Sequence, residues 1–171
     1  MRKIKTENIV LRKINLEDAP EMYAYAKNPL IGDMAGWNAH QSVEETVSII
    51  KTLELLKTYA IIYEGKMVGT IGYEIVQNKL VLGYALNQDY WGKNIMHRSL
   101  KALFIYAFNH LNVEVVEATV YLDNLKSQNV LLKLNFKNKG IINKIINQKN
   151  REVYLFNLNK KEFEGMIKNV N

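Results

Sequence analysis

The stretch from Asp89 to Phe108 reads DYWGKNIMHRSLKALFIYAF and joins a polar turn to a long amphipathic segment. From Ile95 onward, apolar residues recur every three or four positions, which predicts a helix with one buried face. Gly92, Lys93 and Asn94 stand directly before this helix. Because the first amides of a helix lack partners within it, such a turn can hold an anion, or it can be an ordinary helix start. The turn matches neither the Walker loop nor the GxGxxG dinucleotide fingerprint, so by itself it leaves both interpretations open.

Composition narrows the class of protein. The length of 171 residues predicts a single domain over residues 1–171, and 48% hydrophobic residues are enough for a core. The absence of cysteine excludes disulfides, a thiolate nucleophile and thiolate metal sites. The three histidines lack metal-ligand spacing, so we expect no metal. The start of the chain resembles no signal peptide and no segment approaches ~18 consecutive apolar residues, so we expect a cytoplasmic protein without a membrane partner.

The net charge of +6 would suit an anionic ligand, an acidic protein or nucleic acid. The basic residues are spread along the chain, which favours a generic basic surface. No zinc-finger or basic-zipper pattern is present, so we expect no nucleic-acid partner.

The pattern of the whole chain predicts interleaved strands and helices. Alternating and β-branched segments predict six to seven strands, and the turns at Glu64-Gly65-Lys66 and Gln77-Asn78 predict hairpins. Ser42 with Glu45 three residues later is a capping box that predicts a helix start, whereas Pro29, Gly32 and Gly36 predict a loop. The fold class is therefore α/β (α+β): a mixed sheet with helices on both faces.

A second segment bears on the turn at Gly92. The sequence VYLDNLKSQNVLLKLNF follows about 30 residues later, and it places Asn124 at a strand end and Ser127 one helical turn further on. If this strand runs parallel beside LVLGYALN, which precedes the turn, the two helix N-termini meet at one end of the sheet. Ligands bind outside the carboxyl ends of parallel strands.

These segments together resemble the GNAT superfamily of N-acetyltransferases, and within it the branch that contains the ribosomal-protein N-terminal acetyltransferases. YWGKNIM resembles the YWGKGYA form of that family's pyrophosphate loop, and the later segment resembles its N-x-x-S-x-x-x-L-x-K-x-G-F pattern. The ordered set covers nearly the whole chain. The matching positions of the second pattern are Asn124, Ser127, Leu131, Lys133, Asn135 and Phe136.

The chain departs from the family pattern at two glycines, which are replaced by Asn94 and Asn135. Asn tolerates the left-handed backbone region better than most residues, so we expect both to adopt positive φ. We expect Asn135 at a helix C′ position. Asn94 adds a side chain beside the phosphates, and Met96 fills a position that is usually small, so cofactor binding could be weakened or reshaped.

The resemblance implies a GNAT-like, mostly antiparallel sheet, splayed at its fourth strand, and acetyl-CoA as the acetyl donor. It implies that backbone groups near Ala85 and Leu86 contact the pantetheine and the acetyl carbonyl. The loop amides would hold the pyrophosphate, and Asn124 would contact the pantetheine arm. The loop residues concerned are Trp91, Gly92, Lys93, Asn94, Ile95 and Met96.

Acetyl transfer to an amine needs a neutral amine, a donor for the developing oxyanion and a hydrogen bond or proton for the leaving thiolate. Without cysteine, direct attack by the amine fits. Ser127 is the candidate for the thiolate, with a helix serine that only satisfies the backbone as the alternative. The Leu86 N–H is the candidate oxyanion donor. Glu74 is the candidate base, with an outward-facing strand residue or a water chain as alternatives.

For the acceptor, Trp37 and His40 are candidate binding residues, and a surface or capping histidine is the alternative for His40. We expect a protein N-terminal amine as acceptor, with a small amine such as a polyamine, an amino acid or an aminoglycoside as the alternative. A non-catalytic acyl-CoA-binding module with the same fold is a further alternative, and a nucleic-acid-binding domain ranks last. The oligomeric state is left open between monomer and homodimer.

Overall fold

A mixed sheet of eight strands forms the centre of the protein, in a computed structural model that describes residues 1–168. The strands are β1 (Ile4–Thr6), β2 (Ile9–Lys13), β3 (Lys57–Tyr63), β4 (Lys66–Val76), β5 (Lys79–Leu86), β6 (Val115–Tyr121), β7 (Lys137–Ile146) and β8 (Lys149–Asn159). The helices are α1 (Ala19–Ala26), α2 (Pro29–Ala35), α3 (Val43–Leu55), α4 (Ile95–His110), α5 (Leu125–Lys133) and α6 (Lys160–Lys168).

The strand order is β1-β2-β3-β4-β5-β6-β8-β7. Neighbouring strands within residues 1–168 pair antiparallel except β5 and β6, which are parallel. The predicted turn between β4 and β5 is present: Gln77 and Asn78 both have positive φ, which suits a two-residue hairpin turn. The α4 crossover between β5 and β6 is what allows these two strands to run parallel.

Two hydrophobic cores cover the two faces of the sheet. Alternation along β3 divides its side chains, so that Tyr59 and Ile61 lie in one core and Ala60 lies in the other. The first core holds α4, α5 and α6, with Leu100, Phe104 and other residues of α4 fully buried. The second core holds α1, α2 and α3. The predicted mixed sheet with helices on both faces is therefore confirmed.

The strand count was predicted too low. Ile4–Thr6 forms β1, which pairs antiparallel with β2 around a turn in which Glu7 has a φ of 39°. Three residues are too few to show alternation, so the sequence pattern does not reveal this strand. The strand predicted as fourth is consequently β5.

The loop predicted from Pro29, Gly32 and Gly36 is wrong in part, because this segment forms α2. Asn28 caps the helix by accepting from the Leu30 N–H, and Pro29 occupies the first turn, where its missing N–H costs nothing. Gly36 ends the helix with a φ of 82°. Pro29 and Gly36 are therefore the start and stop signals of a short helix, and Gly32 lies inside it.

The predicted cap of α3 is confirmed in its main bond, because the Ser42 hydroxyl accepts from the Glu45 N–H at 3.1 Å. The Glu45 carboxylate reaches the Gln41 N–H instead of that of Ser42. None of the helices in the part of the chain described is both long and apolar enough to cross a membrane.

Candidate active site

A cavity of about 420 Å³ opens where β5 and β6 diverge. Their pairing ends at Leu82 and Ala118, although β5 continues to Leu86 and β6 to Tyr121. The N-terminal ends of α4 and α5 close the sides of this gap, and α2 closes one end. The sequence-predicted residues that line the cavity are Ala85, Leu86, Trp91, Gly92, Asn94, Ile95, Met96, Asn124 and Ser127.

At the start of α4, beside this cavity, the first amides have no hydrogen-bond partner within residues 1–168. The first backbone bond of the helix runs from the Arg98 N–H to the Asn94 carbonyl, so the N–H groups of Ile95, Met96 and His97 precede it. The Asn94 side chain makes no capping bond that would occupy them. Positive φ at Gly92 (77°) and Asn94 (55°) curls the loop around the helix start. The arrangement is that of an anion site at the positive end of a helix dipole.

The backbone of Leu86 faces the gap between the strands. The Asn87 N–H donates to the Val68 carbonyl on the β4 side at 2.8 Å. Because bonded and non-bonded positions alternate in an antiparallel pair, the neighbouring Leu86 directs its N–H and C=O away from β4. The Leu86 carbonyl accepts from the Trp91 indole at 2.9 Å. The Leu86 N–H is therefore directed into the gap where β6 has separated from β5.

Asn124 and Ser127 form the N-terminal turn of α5, as predicted. The Asn124 side-chain oxygen accepts from the Ser127 N–H at 3.1 Å, and its amide nitrogen donates to the Met34 carbonyl at 3.3 Å. Asn124 thereby ties α5 to α2 across the end of the cavity, and it is buried. Its polar atoms are engaged in the fold, and it still lines the cavity.

Tyr84 also belongs to this site, although it is not among the candidate residues of the sequence analysis. It lines the cavity, and its hydroxyl lies 2.7 Å from the Ser127 Oγ. Burial raises the pKa of the Tyr84 phenol, so the group stays protonated. The sequence offers one indication of this placement: Tyr84 and Leu86 are two residues apart on a strand, so their side chains face the same side.

Positive charge, and no carboxylate, lines the cavity. Lys126 and Lys133 are lining residues, and the Lys126 Nζ lies 3.7 Å from the centre of the Trp91 ring, across the mouth between α5 and the loop. His97 also lines the cavity, and burial is the main cause that lowers its pKa, so it is neutral at pH 7. Asp and Glu are absent among the lining residues that the described chain provides.

Glu74 lies away from the cavity. It is exposed and pairs with Val81 on β5, on the far side of Leu82 from the diverging end of the strand. Glu74 is therefore placed as an outward-facing strand residue, which the sequence analysis gave as the alternative to a catalytic base. Lys93 is exposed, and its ammonium lies 5.0 Å from the centre of the Tyr90 ring instead of lining the cavity.

Trp37 and His40 also lie outside the cavity lining. The two rings pack at 5.2 Å between centroids, and the His40 Nδ1 lies 2.9 Å from the Thr46 Oγ1. His40 is only 5% exposed, and burial lowers its pKa. This residue joins the segment after α2 to the first turn of α3, so it supports the fold beside the cavity.

The geometry agrees with similarity to known proteins. The chain is 28% identical to an uncharacterized N-acetyltransferase, p20, of Bacillus licheniformis, over 96% of this chain and 100% of that one. It shares the fold of the ribosomal L7/L12 alpha-N-protein acetyltransferase RimL solved with coenzyme A, with a TM-score of 0.82, 20% identity and coverage of 94% and 99%. It also shares the fold of the microcin C7 self-immunity acetyltransferase MccE solved with acetyl-CoA and AMP, with a TM-score of 0.81, 19% identity and coverage of 90% and 93%.

A family profile described as an acetyltransferase (GNAT) domain matches residues 8–137, which span β2 to the start of β7 and include the whole cavity. The chain therefore belongs to the GNAT family and is an N-acetyltransferase.

Proposed function

We propose that this enzyme transfers the acetyl group of acetyl-CoA to a primary amine by direct attack, and that the acceptor is a protein N-terminus. The observation that carries the proposal is the meeting of the Leu86 backbone, the free amides of α4 and the Ser127 hydroxyl around one cavity. Two enzymes of the same fold were solved with coenzyme A or acetyl-CoA, which supports this donor.

The residues present fit the chemical groups of the donor. The α4 amides and the curled loop at Gly92 and Asn94 suit a pyrophosphate, because both offer N–H groups at the positive end of a helix. The diverging ends of β5 and β6 leave room for an extended arm that pairs with backbone groups. Lys126 and Lys133 add positive charge along the same cavity.

We propose two groups that act in the transfer itself. The Leu86 N–H would donate to the carbonyl oxygen as negative charge develops on it. The Ser127 hydroxyl would donate to the sulfur as the C–S bond breaks. Since none of the carboxylates in residues 1–168 lines the cavity and Glu74 lies away from it, we propose that the amine gives up its proton to water.

The lining also bears on the acceptor. A polyamine carries several positive charges and would meet Lys126 and Lys133 without a carboxylate to bind it. A peptide N-terminus can present a single amine and leave its other charges outside. The match to a ribosomal-protein alpha-N-acetyltransferase favours the same choice.

The experiment is thiol release from acetyl-CoA against a panel of amines. We expect release to be accelerated by peptides with a free N-terminus and not by the same peptides already acetylated there, with spermidine, free amino acids and an aminoglycoside in parallel. Acceleration by spermidine alone would overturn the proposal that the acceptor is a protein N-terminus. Tight binding of CoA with no amine accelerating release would instead favour a non-catalytic module.

Ser127→Ala tests the role of the hydroxyl at the sulfur. We expect kcat to fall by about 10²-fold, because the leaving thiolate loses its donor, while the KM for acetyl-CoA changes much less. Ser48→Ala on the outer face of α3 is the matched control, and it should leave kcat unchanged. An unchanged kcat in Ser127→Ala would show that the serine only supports the helix.

A further inference from the structure

Tyr84 is a partly buried tyrosine whose hydroxyl has two hydrogen-bond partners among residues 1–168, both of them atoms of Ser127. Its hydroxyl lies 2.7 Å from the Ser127 Oγ and 3.3 Å from the Ser127 carbonyl oxygen. Tyr84 is on β5 and Ser127 is on α5, so this contact bridges the two sides of the cavity that both residues line. The Ser127 Oγ at the cavity wall is therefore already hydrogen-bonded to the Tyr84 hydroxyl.

We propose that Tyr84 is a positioning residue that donates its hydrogen bond to the Ser127 Oγ and so turns the serine hydrogen toward the reacting sulfur. The inference rests on the proposed function and deepens it, because it explains how one serine hydroxyl is directed. In the opposite orientation, with Ser127 donating to Tyr84, the serine hydrogen would point at the phenol and would be lost to the sulfur.

The direction of the bond follows from acidity and distance. A phenol is far more acidic than an aliphatic alcohol, so in a mixed pair the phenol is the stronger donor and the alcohol oxygen the stronger acceptor. The alternative acceptor for Tyr84, the Ser127 carbonyl, is at 3.3 Å and the Oγ is at 2.7 Å. The shorter contact is the one that leaves the serine hydrogen free.

Tyr84 remains protonated throughout, since burial opposes the phenolate. In the reaction the nitrogen lone pair forms the C–N bond, and the C–S electron pair leaves with sulfur. The nitrogen releases one proton to water, and the sulfur gains one through the Ser127 hydroxyl, which takes a proton back from water. Neither hydroxyl changes its protonation state overall, so Tyr84 acts only through Ser127.

A double-mutant cycle tests the inference. We expect Tyr84→Phe to lower kcat about three- to tenfold, the value of one hydrogen bond, and to change the KM for acetyl-CoA less than twofold. In the Ser127→Ala background the same substitution should have no further effect on kcat, because Tyr84 is proposed to act only through the Ser127 hydroxyl, which this background lacks. Tyr106→Phe, on α4 outside the cavity lining, is the matched control and should behave as wild type.

Equal losses in both backgrounds, or a rise in KM with an unchanged kcat, would overturn the positioning role. Thermal unfolding and CoA affinity of each variant separate a folding defect from this effect, and Tyr84→Met serves for the same cycle if Tyr84→Phe proves unstable. If the wild-type enzyme transfers acetyl groups and Tyr84→Phe does so equally well, only this inference is wrong. A wild-type enzyme without transfer to any amine defeats the proposed function and this inference together.

Discussion

Asn94 has a left-handed backbone, with φ 55° and ψ 16°, at the turn before α4. The prediction that it would adopt positive φ is confirmed, and Asn135 does the same with a φ of 67° at the end of α5. At that end the Phe136 N–H bonds the Leu131 carbonyl and the Asn135 N–H bonds the Leu132 carbonyl. This is the bond pattern of a Schellman motif, so asparagine replaces glycine without loss of the backbone geometry.

The effect of substituting Asn94 on stability should depend on how well the new residue tolerates a left-handed backbone. We expect Asn94→Ala to lower the free energy of unfolding by about 1 kcal/mol, since a Cβ with no compensating polar group strains a left-handed residue, and Asn94→Gly to stay within about 0.5 kcal/mol of wild type. Urea unfolding measures both. Asn94→Gly should also bind CoA at least as tightly as wild type by calorimetry, because it removes a side chain from the cavity.

The outcome that contradicts this account is an alanine variant as stable as the glycine variant. A glycine variant that binds CoA more weakly would show instead that the Asn94 side chain contributes to the cofactor site.

At the scale of elements, the helix ends were the most predictable features. Ser42 and Asn124 cap α3 and α5 as their residue types and spacing indicate, because a cap depends only on neighbours along the chain. Helix α2 was missed because Pro29 and Gly36 mark a helix of seven residues as readily as they mark a loop. Propensity cannot separate the two when a helix is too short to show periodicity.

The junction of α2 with α3 should make stability depend on pH through His40. Burial lowers the pKa of His40 from its ordinary value of 6.5, although the nearby Glu45 opposes this shift. The unfolded chain therefore takes up the proton at a higher pH than the folded chain does. The stabilisation by neutral His40 is complete above about pH 6.5 and is lost as the pH falls below it.

We expect the free energy of unfolding to drop between pH 7.5 and pH 5.5, and His40→Gln to reduce this drop, as measured by urea unfolding at each pH. Part of the dependence should persist, because burial also lowers the pKa of His97. Identical pH dependence in wild type and His40→Gln would show that His40 does not contribute to it.

At the scale of the molecule, the two parts of the sheet are joined by a short parallel seam. Only Lys79–Leu82 of β5 and Val115–Ala118 of β6 pair within the described chain, and beyond them the strands diverge around the cavity. A cofactor that contacts β5, α4 and α5 at once would link both sides of this seam. Binding of that kind stabilises the folded protein by mass action.

We expect CoA at about one hundred times its Kd to stabilise the protein by ~2.7 kcal/mol, which corresponds to a rise in Tm of roughly 5 to 10 °C for a chain of this size. Pantetheine, which lacks the pyrophosphate together with the nucleotide, is the ligand control and should produce a much smaller rise at equal concentration. Equal shifts from both ligands would argue against the pyrophosphate site at the start of α4, and no shift from CoA would argue against the cofactor itself.

The sequence by itself determined the strands with clear alternation, the helix caps, the hairpin turns and the loop before α4, because each depends on residues close together in the chain. Only the tertiary structure decided which side chains meet at the cavity. It placed Tyr84 against Ser127, 43 positions further along the chain, and it left Glu74 and His40 outside the cavity lining, because the lining depends on where the β5–β6 pairing ends. Such contacts follow from strand order and splay, which no local pattern records.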